Sequence, residues 1–241
     1  MPGSKQIQRK NRGEVTAIEI SEFYKYSDIE LIEQLKSANS SVRTCSAIIL
    51  GERKSEKAII ALCEALKTEK SLYSKIAISC ALGKIGLKAL PILIKLLGKI
   101  GNNQYKDLPE KPFEKWNYPL PRDIAARTIT KIGESALELL NESLPILERI
   151  SLSEAIDAIG FISFYSKNQL AFKTIKNLVN QYKNDDLITW KLIRSLQAFP
   201  NQESIKLLDY YRLNHPQQII CLEAEHNLEQ IQKKIGKQSA N

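Results

Sequence analysis

The side chains of this chain best suited to chemistry are aromatic and basic, and they gather in one place. Between residues 101 and 121 stand Tyr105, Phe113, Trp116 and Tyr118, and Arg122 and Asp123 follow directly. A guanidinium stacks well on aromatic faces, and Trp, Tyr and Arg dominate binding hot spots. The grouping therefore predicts recognition of a partner rather than bond-making. Catalysis finds little to work with. His215 and His226 are the only two histidines and stand in no His-Glu pair, and no phosphate-binding glycine loop or nucleophile elbow occurs. The carboxylates of residues 133–159 lack partners arranged as acid and base. No catalytic residue and no cofactor are assigned.

Four cysteines, Cys45, Cys63, Cys80 and Cys221, form no CxxC pair and show no metal-ligand spacing. They read as buried, reduced thiols, which predicts a cytoplasmic protein without a metal site. The polar N-terminus does not read as a signal peptide, and no apolar run approaches the roughly 20 residues that span a membrane.

Charged residues also recur at a period. Arg43, Lys75 and Arg122 each stand seven residues before a large apolar residue: Leu50, Leu82 and Ile129. The same apolar position recurs at Ile159, Leu196 and, weakly, Leu228, with small residues such as Ala47, Ala81 and Ala125 beside it. Two residues before it stand Arg127, Asp157 and Arg194. Equivalent positions on stacked helices lie about 10 Å apart, so the register predicts an Arg–Asp–Arg chain across repeats. Arg43, Lys75, Arg127, Asp157 and Arg194 are assigned to such a structural ladder. Any exposed pair in it would add only about 0.2–1 kcal/mol.

The elements that must carry these residues are helical hairpins. Ser74 to Leu97 reads as one helix rich in small residues, a break at Gly83–Gly86, and a second helix with Pro91 in its first turn, where the missing N–H is tolerated. A hairpin cannot bury its apolar face alone, so similar units must stand beside it. Val42-Arg43 followed by Leu50-Gly51, and Ala81-Leu82-Gly83-Lys84-Ile85-Gly86 followed by Ala89-Leu90-Pro91, resemble HEAT repeats of the type named after phycobilisome lyases, over roughly residues 41–140. That resemblance implies an all-α, right-handed α-solenoid of about five to six hairpins, with bases bonded to acidic or carbonyl groups of the previous repeat. Proteins with such repeats include scaffolds, chromophore lyase subunits and relatives of a DNA glycosylase. A protein-binding scaffold is the leading expectation; a bilin lyase or phycobilisome-degradation accessory protein is the first alternative. The His-Glu motifs of HEAT-repeat deoxyhypusine hydroxylases are absent, and with them a di-iron site.

The net charge of +8 points to nucleic acid until it is located. Lys5, Arg9, Lys10 and Arg12 lie in residues 1–13, and Lys233, Lys234 and Lys237 at the other end, which leaves the body nearly neutral. A DNA-binding reading is thereby disfavoured against a protein partner. Within the body, residues 70–106 hold lysines and no acid, whereas residues 133–159 are acidic. Lys88, Lys95 and Lys99 fall at i, i+7 and i+11, one side of a helix, and form a basic patch for an acidic partner.

In chain order, residues 1–26 are expected as a flexible basic tail. Ser27 and Glu30 have capping-box spacing and open the array, which runs to 235 as one solenoid. The insertion at 101–121 holds four prolines, which rule out a regular helix, and its aromatics argue against a plain linker. It is the expected docking element. Ser151 and Glu154 repeat the capping-box spacing. A polar helix from about Pro216 caps the array, and 236–241 are expected to be disordered.

Overall fold

The computed structural model describes residues 4–113, 115 and 117–238, and every regular element among them is helical. The chain divides into two compact units, Met1–Leu96 and Leu97–Asn241.

The first unit contains α1 (Ser4–Asn11), α2 (Ala17–Ser21), α3 (Asp28–Gln34), α4 (Ser40–Glu52), α5 (Ile59–Thr68), α6 (Leu72–Ile85) and α7 (Leu90–Leu96). Small residues decide which helices touch. A Cβ added at Gly51 would lie 2.6 Å from the Ala81 Cα, so α4 and α6 approach to a distance that only glycine permits. Behind them α3 packs on α4, and α5 packs on α6 and α7. Leu31, Leu50, Leu62, Leu66, Ile78, Leu82 and Leu90 are fully buried between these layers, each worth roughly 1.5–3 kcal/mol of transfer energy.

The Ser27–Glu30 capping box forms as expected: the Glu30 amide donates to Ser27 Oγ, and the Ser27 amide donates to the Glu30 carboxylate at 2.7 Å. Two orphan donors of α3 are satisfied. At the far end Gly86 ends α6 with a φ of +80°, which glycine reaches without steric cost. That break matters for Leu72–Leu96, which is apolar enough by composition to cross a membrane. It is two helices of 14 and 7 residues, with much of the segment buried inside the unit, and neither helix reaches the roughly 20 residues a span requires.

Residues 1–26 differ from the expected flexible tail. Over the described part, α1 and α2 form and pack on α4, and the segment between them is bonded into the fold. The Tyr73 amide donates to the Arg12 carbonyl at 3.0 Å, and Ser40 Oγ donates to the Asn11 carbonyl at 3.2 Å. Gly13, at φ +87°, sits so close that an added Cβ would be 2.7 Å from Ser74 Oγ. The segment thus supplies one acceptor to the start of α6, whose first amides have no intrahelical partner, and another to the Ser40 hydroxyl at the start of α4.

The second unit contains α8 (Ile124–Ile132), α9 (Leu137–Ser143), α10 (Arg149–Ser166), α11 (Phe172–Gln181), α12 (Asp186–Ser195), α13 (Gln202–Asn214) and α14 (Gln218–Gln238). Here α8, α10, α12 and α14 form a row in which each packs on the next, while α9, α11 and α13 pack against α10, α12 and α14 respectively. The final helix is therefore the last member of the inner row as well as its end. It runs to Gln238, through part of the expected disordered end; 239–241 lie outside the described residues.

Ser151 and Glu154 do not form the expected capping box. Helix α10 starts earlier, with Glu148 at its N-cap, so both residues lie inside it and are buried. Ser151 Oγ instead donates to the Leu97 carbonyl at 2.8 Å, which ties α10 to the start of the long loop before α8.

Candidate binding cleft

The loop from residue 97 to Asp123 is irregular, as its prolines require, yet it is fastened at several points. Asp123 fixes its base. Its Oδ1 accepts from the Ala126 amide at 2.7 Å, capping α8, and its Oδ2 accepts from Gln104 Nε2 at 2.7 Å and from the Gly98 amide at 3.3 Å. Burial pushes the Asp123 carboxyl above the usual carboxylate range in spite of these donors. Expected as a partner-binding residue, Asp123 is wholly enclosed and spent on the loop itself.

Tyr118 pins the middle of the loop. It too was expected to face a partner, but its ring is 1% exposed and lies against Phe161 and Phe164 of α10, with centroids 6.5 and 5.5 Å away. Tyr165 Oη donates to the Tyr118 carbonyl at 3.4 Å. The Tyr118 hydroxyl is buried without a hydrogen-bond partner among the described residues, and burial holds it well above its ordinary pKa. Two further ties complete the fastening: Arg149 Nη1 donates to the Lys106 carbonyl at 3.4 Å, and His226 Nε2 of α14 lies 3.1 Å from the Lys115 carbonyl.

Between this loop and the helices α10 and α12 lies a cleft of about 360 Å³, lined by Tyr105, Phe113, Arg122, Asp157, Trp190 and Arg194. Lys111, Lys115 and Leu120 edge it. Three of the expected docking residues, Tyr105, Phe113 and Arg122, are therefore brought together. Trp116 lies outside the described residues. The Arg122 guanidinium lies 4.3 Å from the Tyr105 ring centroid, and Tyr105 meets the Trp190 ring edge-on at 5.0 Å.

The floor of the cleft is a charge network that the sequence reading only half found. Two acids on α10, Glu154 and Asp157, face two bases on α12, Lys191 and Arg194, and these face Glu223 on α14. Lys191 is fully buried and donates to Asp157 Oδ2 and, at 3.3 Å, to Glu154 Oε1. Arg194 donates through Nε and Nη2 to the two Glu223 oxygens at 3.0 and 2.7 Å, and Trp190 Nε1 donates to Glu223 Oε2 at 2.9 Å. The Arg194 guanidinium also lies 4.0 Å from the Trp190 ring centroid and 5.5 Å from that of Phe113. Burial lowers the Arg194 pKa, but the bidentate Glu223 carboxylate more than offsets this and raises it above its ordinary value. Burial pushes Glu154 up to about 7, against the opposing pull of Lys191.

The expected Arg–Asp–Arg chain is corrected accordingly. Asp157 pairs with Lys191, Arg194 pairs with Glu223, and Arg127 of α8 donates Nε to the Pro121 carbonyl, at 2.7 Å, in the loop before its helix. Glu154, Lys191 and Glu223 each stand five residues before a recurring apolar position, Ile159, Leu196 and Leu228. Residues three apart share a helix face, so reading that position beside the one at two residues would have shown an acid–base–acid alternation. In the first unit Arg43 pairs forward with Glu69, at 2.7 and 2.8 Å, and also reaches back to carbonyls that precede its own helix, that of Ser37 among them. Lys75 enters no ion pair among the described residues.

The expected basic patch does not form on one helix. Lys95 lies on α7, whereas Lys88 precedes that helix and Lys99 follows its end. All three are exposed and none lines the cleft.

The architecture is that of an all-helical protein of paired helices with one long inserted loop. Residues 30–102 match a family model described as HEAT repeats, which supports a HEAT-repeat protein and is no narrower than that class. A search of curated proteins found no match.

Proposed function

We propose that this chain is a non-enzymatic binding protein that docks a partner protein through the cleft between the 97–123 loop and helices α10 and α12. The observation that carries this reading is the division of labour at the cleft. The buried ionisable groups, Lys191, Arg194, Glu154, Asp157 and Glu223, are engaged with one another. Arg122, Lys111, Lys115 and Leu120 are exposed beside partly exposed Tyr105 and Phe113. Arginine and aromatic side chains around a concavity, held on a fastened loop, limit the ordering cost of association. HEAT repeats as a class commonly serve as protein-interaction scaffolds, which agrees with this use.

A photo-reactive amino acid placed at Leu120, followed by irradiation in host lysate, tests the proposal. The expected result is a protein adduct that disappears when Phe113→Ala and Arg122→Ala are added. An unchanged set of adducts would overturn it.

A further inference from the structure

The chemistry of the occupant can be read from what the cleft has already satisfied and what it has not. The aromatic faces are engaged: Arg122 lies over Tyr105, and Arg194 lies over Trp190. Trp190 is also fully buried, so nucleobase stacking, the general basis of single-strand binding, finds at most one face of Tyr105 there. The stacked arginines have a different use. An aromatic ring beneath a guanidinium holds its plane and leaves its N–H edge free, which is the geometry for bidentate bonding to a carboxylate. Arg194 has spent that edge on Glu223. Arg122 has not: it is exposed and pairs with no carboxylate among the described residues.

Charge around the cleft points the same way. Arg122, Lys111 and Lys115 line it without a counter-charge among the described residues, whereas the lining Arg194 is paired with Glu223 and the lining Asp157 with Lys191. Lys111 and Lys115 are exposed and enter no ion pair among those residues. Asp157 itself is 5% exposed, and its Oδ1 has no hydrogen-bond partner among the described residues. That oxygen is closed to a ligand and the other takes the Lys191 ammonium, so Asp157 does little to offset the cations of the rim. A ligand that suits this rim carries carboxylates beside apolar side chains, as an acidic peptide does, because Arg122 and the two lysines stand next to Phe113 and Leu120.

We infer that the cleft receives an acidic peptide segment of the partner protein, with a carboxylate on the Arg122 guanidinium between Lys111 and Lys115 and an apolar side chain against Phe113 and Leu120. This rests on the docking reading above and names the chemistry of its ligand. The volume of about 360 Å³ suits a short chain segment rather than a folded surface.

The test uses the full chain and an array of randomised heptapeptides carrying Asp/Glu or their isosteres Asn/Gln at each position. The protein is basic overall, so acid preference alone means little, and a charge-matched variant, Lys173→Glu, on the exposed face of α11, serves as control. The expected result is selection of Asp or Glu over the isosteres, kept by Lys173→Glu, lost on Arg122→Glu, and weakened about tenfold by Arg122→Lys, which keeps charge but not the fork. Acid selection that is absent, or is equally reduced in both charge-reversed variants, overturns the inference. A cross-linked partner that depends on Phe113 and Arg122 but contacts them through a segment without acidic residues overturns the peptide chemistry and leaves docking standing. Loss of the cross-link's dependence on both residues overturns docking as well. Arg122-dependent binding of single-stranded RNA without acid selection on the array replaces the peptide with nucleic acid.

Discussion

The Tyr118 hydroxyl occupies the space that any side chain at Gly160 would need: a Cβ built on Gly160 would lie 1.8 Å from it and 2.5 Å from the ring carbon that bears it. This contact seats the loop on α10 and sets one wall of the cleft.

Gly160→Ala therefore tests the loop's anchorage. In a free helix interior the change would stabilise by roughly 1 kcal/mol, because alanine is the better helix former. Here the clash outweighs that gain, and urea unfolding of the second unit is expected to lose about 2 kcal/mol, in the range of core overpacking. Gly160→Ala combined with Tyr118→Leu, which removes the ring, recovers part of the loss.

Glu223 is held by two donors of Arg194 and by the Trp190 indole in a site closed to water. Glu223→Gln leaves the buried guanidinium without a counter-charge and is expected to cost about 3–5 kcal/mol. Adding Arg194→Met removes the orphaned charge and restores most of the stability. Thermal melts of the single and double variants decide the matter; a double variant no more stable than Glu223→Gln contradicts the account.

Glu154 predicts a pH dependence of definite sign. Its carboxyl is raised from 4.5 to about 7 in the folded protein, so between those values the folded state holds the proton more tightly than the unfolded chain. Stability contributed by this group is whole below about pH 4.5, falls as pH rises towards 7, and is level above it. The expected decline is about 3 kcal/mol, and the value of about 7 already contains the pull of the facing Lys191. Glu154→Gln removes the slope, so the difference between the two stability–pH curves isolates it. Parallel curves from pH 4.5 to 7.5 count against the buried position of this carboxyl.

Gly13 combines a positive φ with contact on Ser74 and Thr44. Gly13→Ala is expected to destabilise docking of the N-terminal segment by about 1–2 kcal/mol, from the left-handed backbone and the clash together. Hydrogen exchange at the Tyr73 amide, which donates to Arg12, reports this directly and should quicken in the variant.

Local signals in the sequence act over a few residues. Ser27 and Glu30 specify a helix start because their reciprocal bonds close within four residues. The Ser74–Leu97 stretch specifies a hairpin because Gly86 and Pro91 act on their own backbone. Tyr105, Phe113 and Arg122 share one loop in the sequence, and the structure brings them to one cleft.

The failures share a different character. The spacing of Ser151 and Glu154 is the same whether a helix begins there or passes through, and α10 passes through because Leu97 and Lys191 offer partners from elsewhere in the chain. Tyr118 and Asp123 look as available as Arg122 in sequence; burial on α10 and the cap of α8 removed them. Periodicity, caps and breaks determined by themselves that the chain folds into paired helices with an inserted loop, since each acts over one or two turns. Which charges pair, which loop aromatic faces solvent and where the first residues dock were decided only in the tertiary structure. Those outcomes depend on the neighbours that distant helices bring within a few ångströms, and on the high cost of burying a polar group with none.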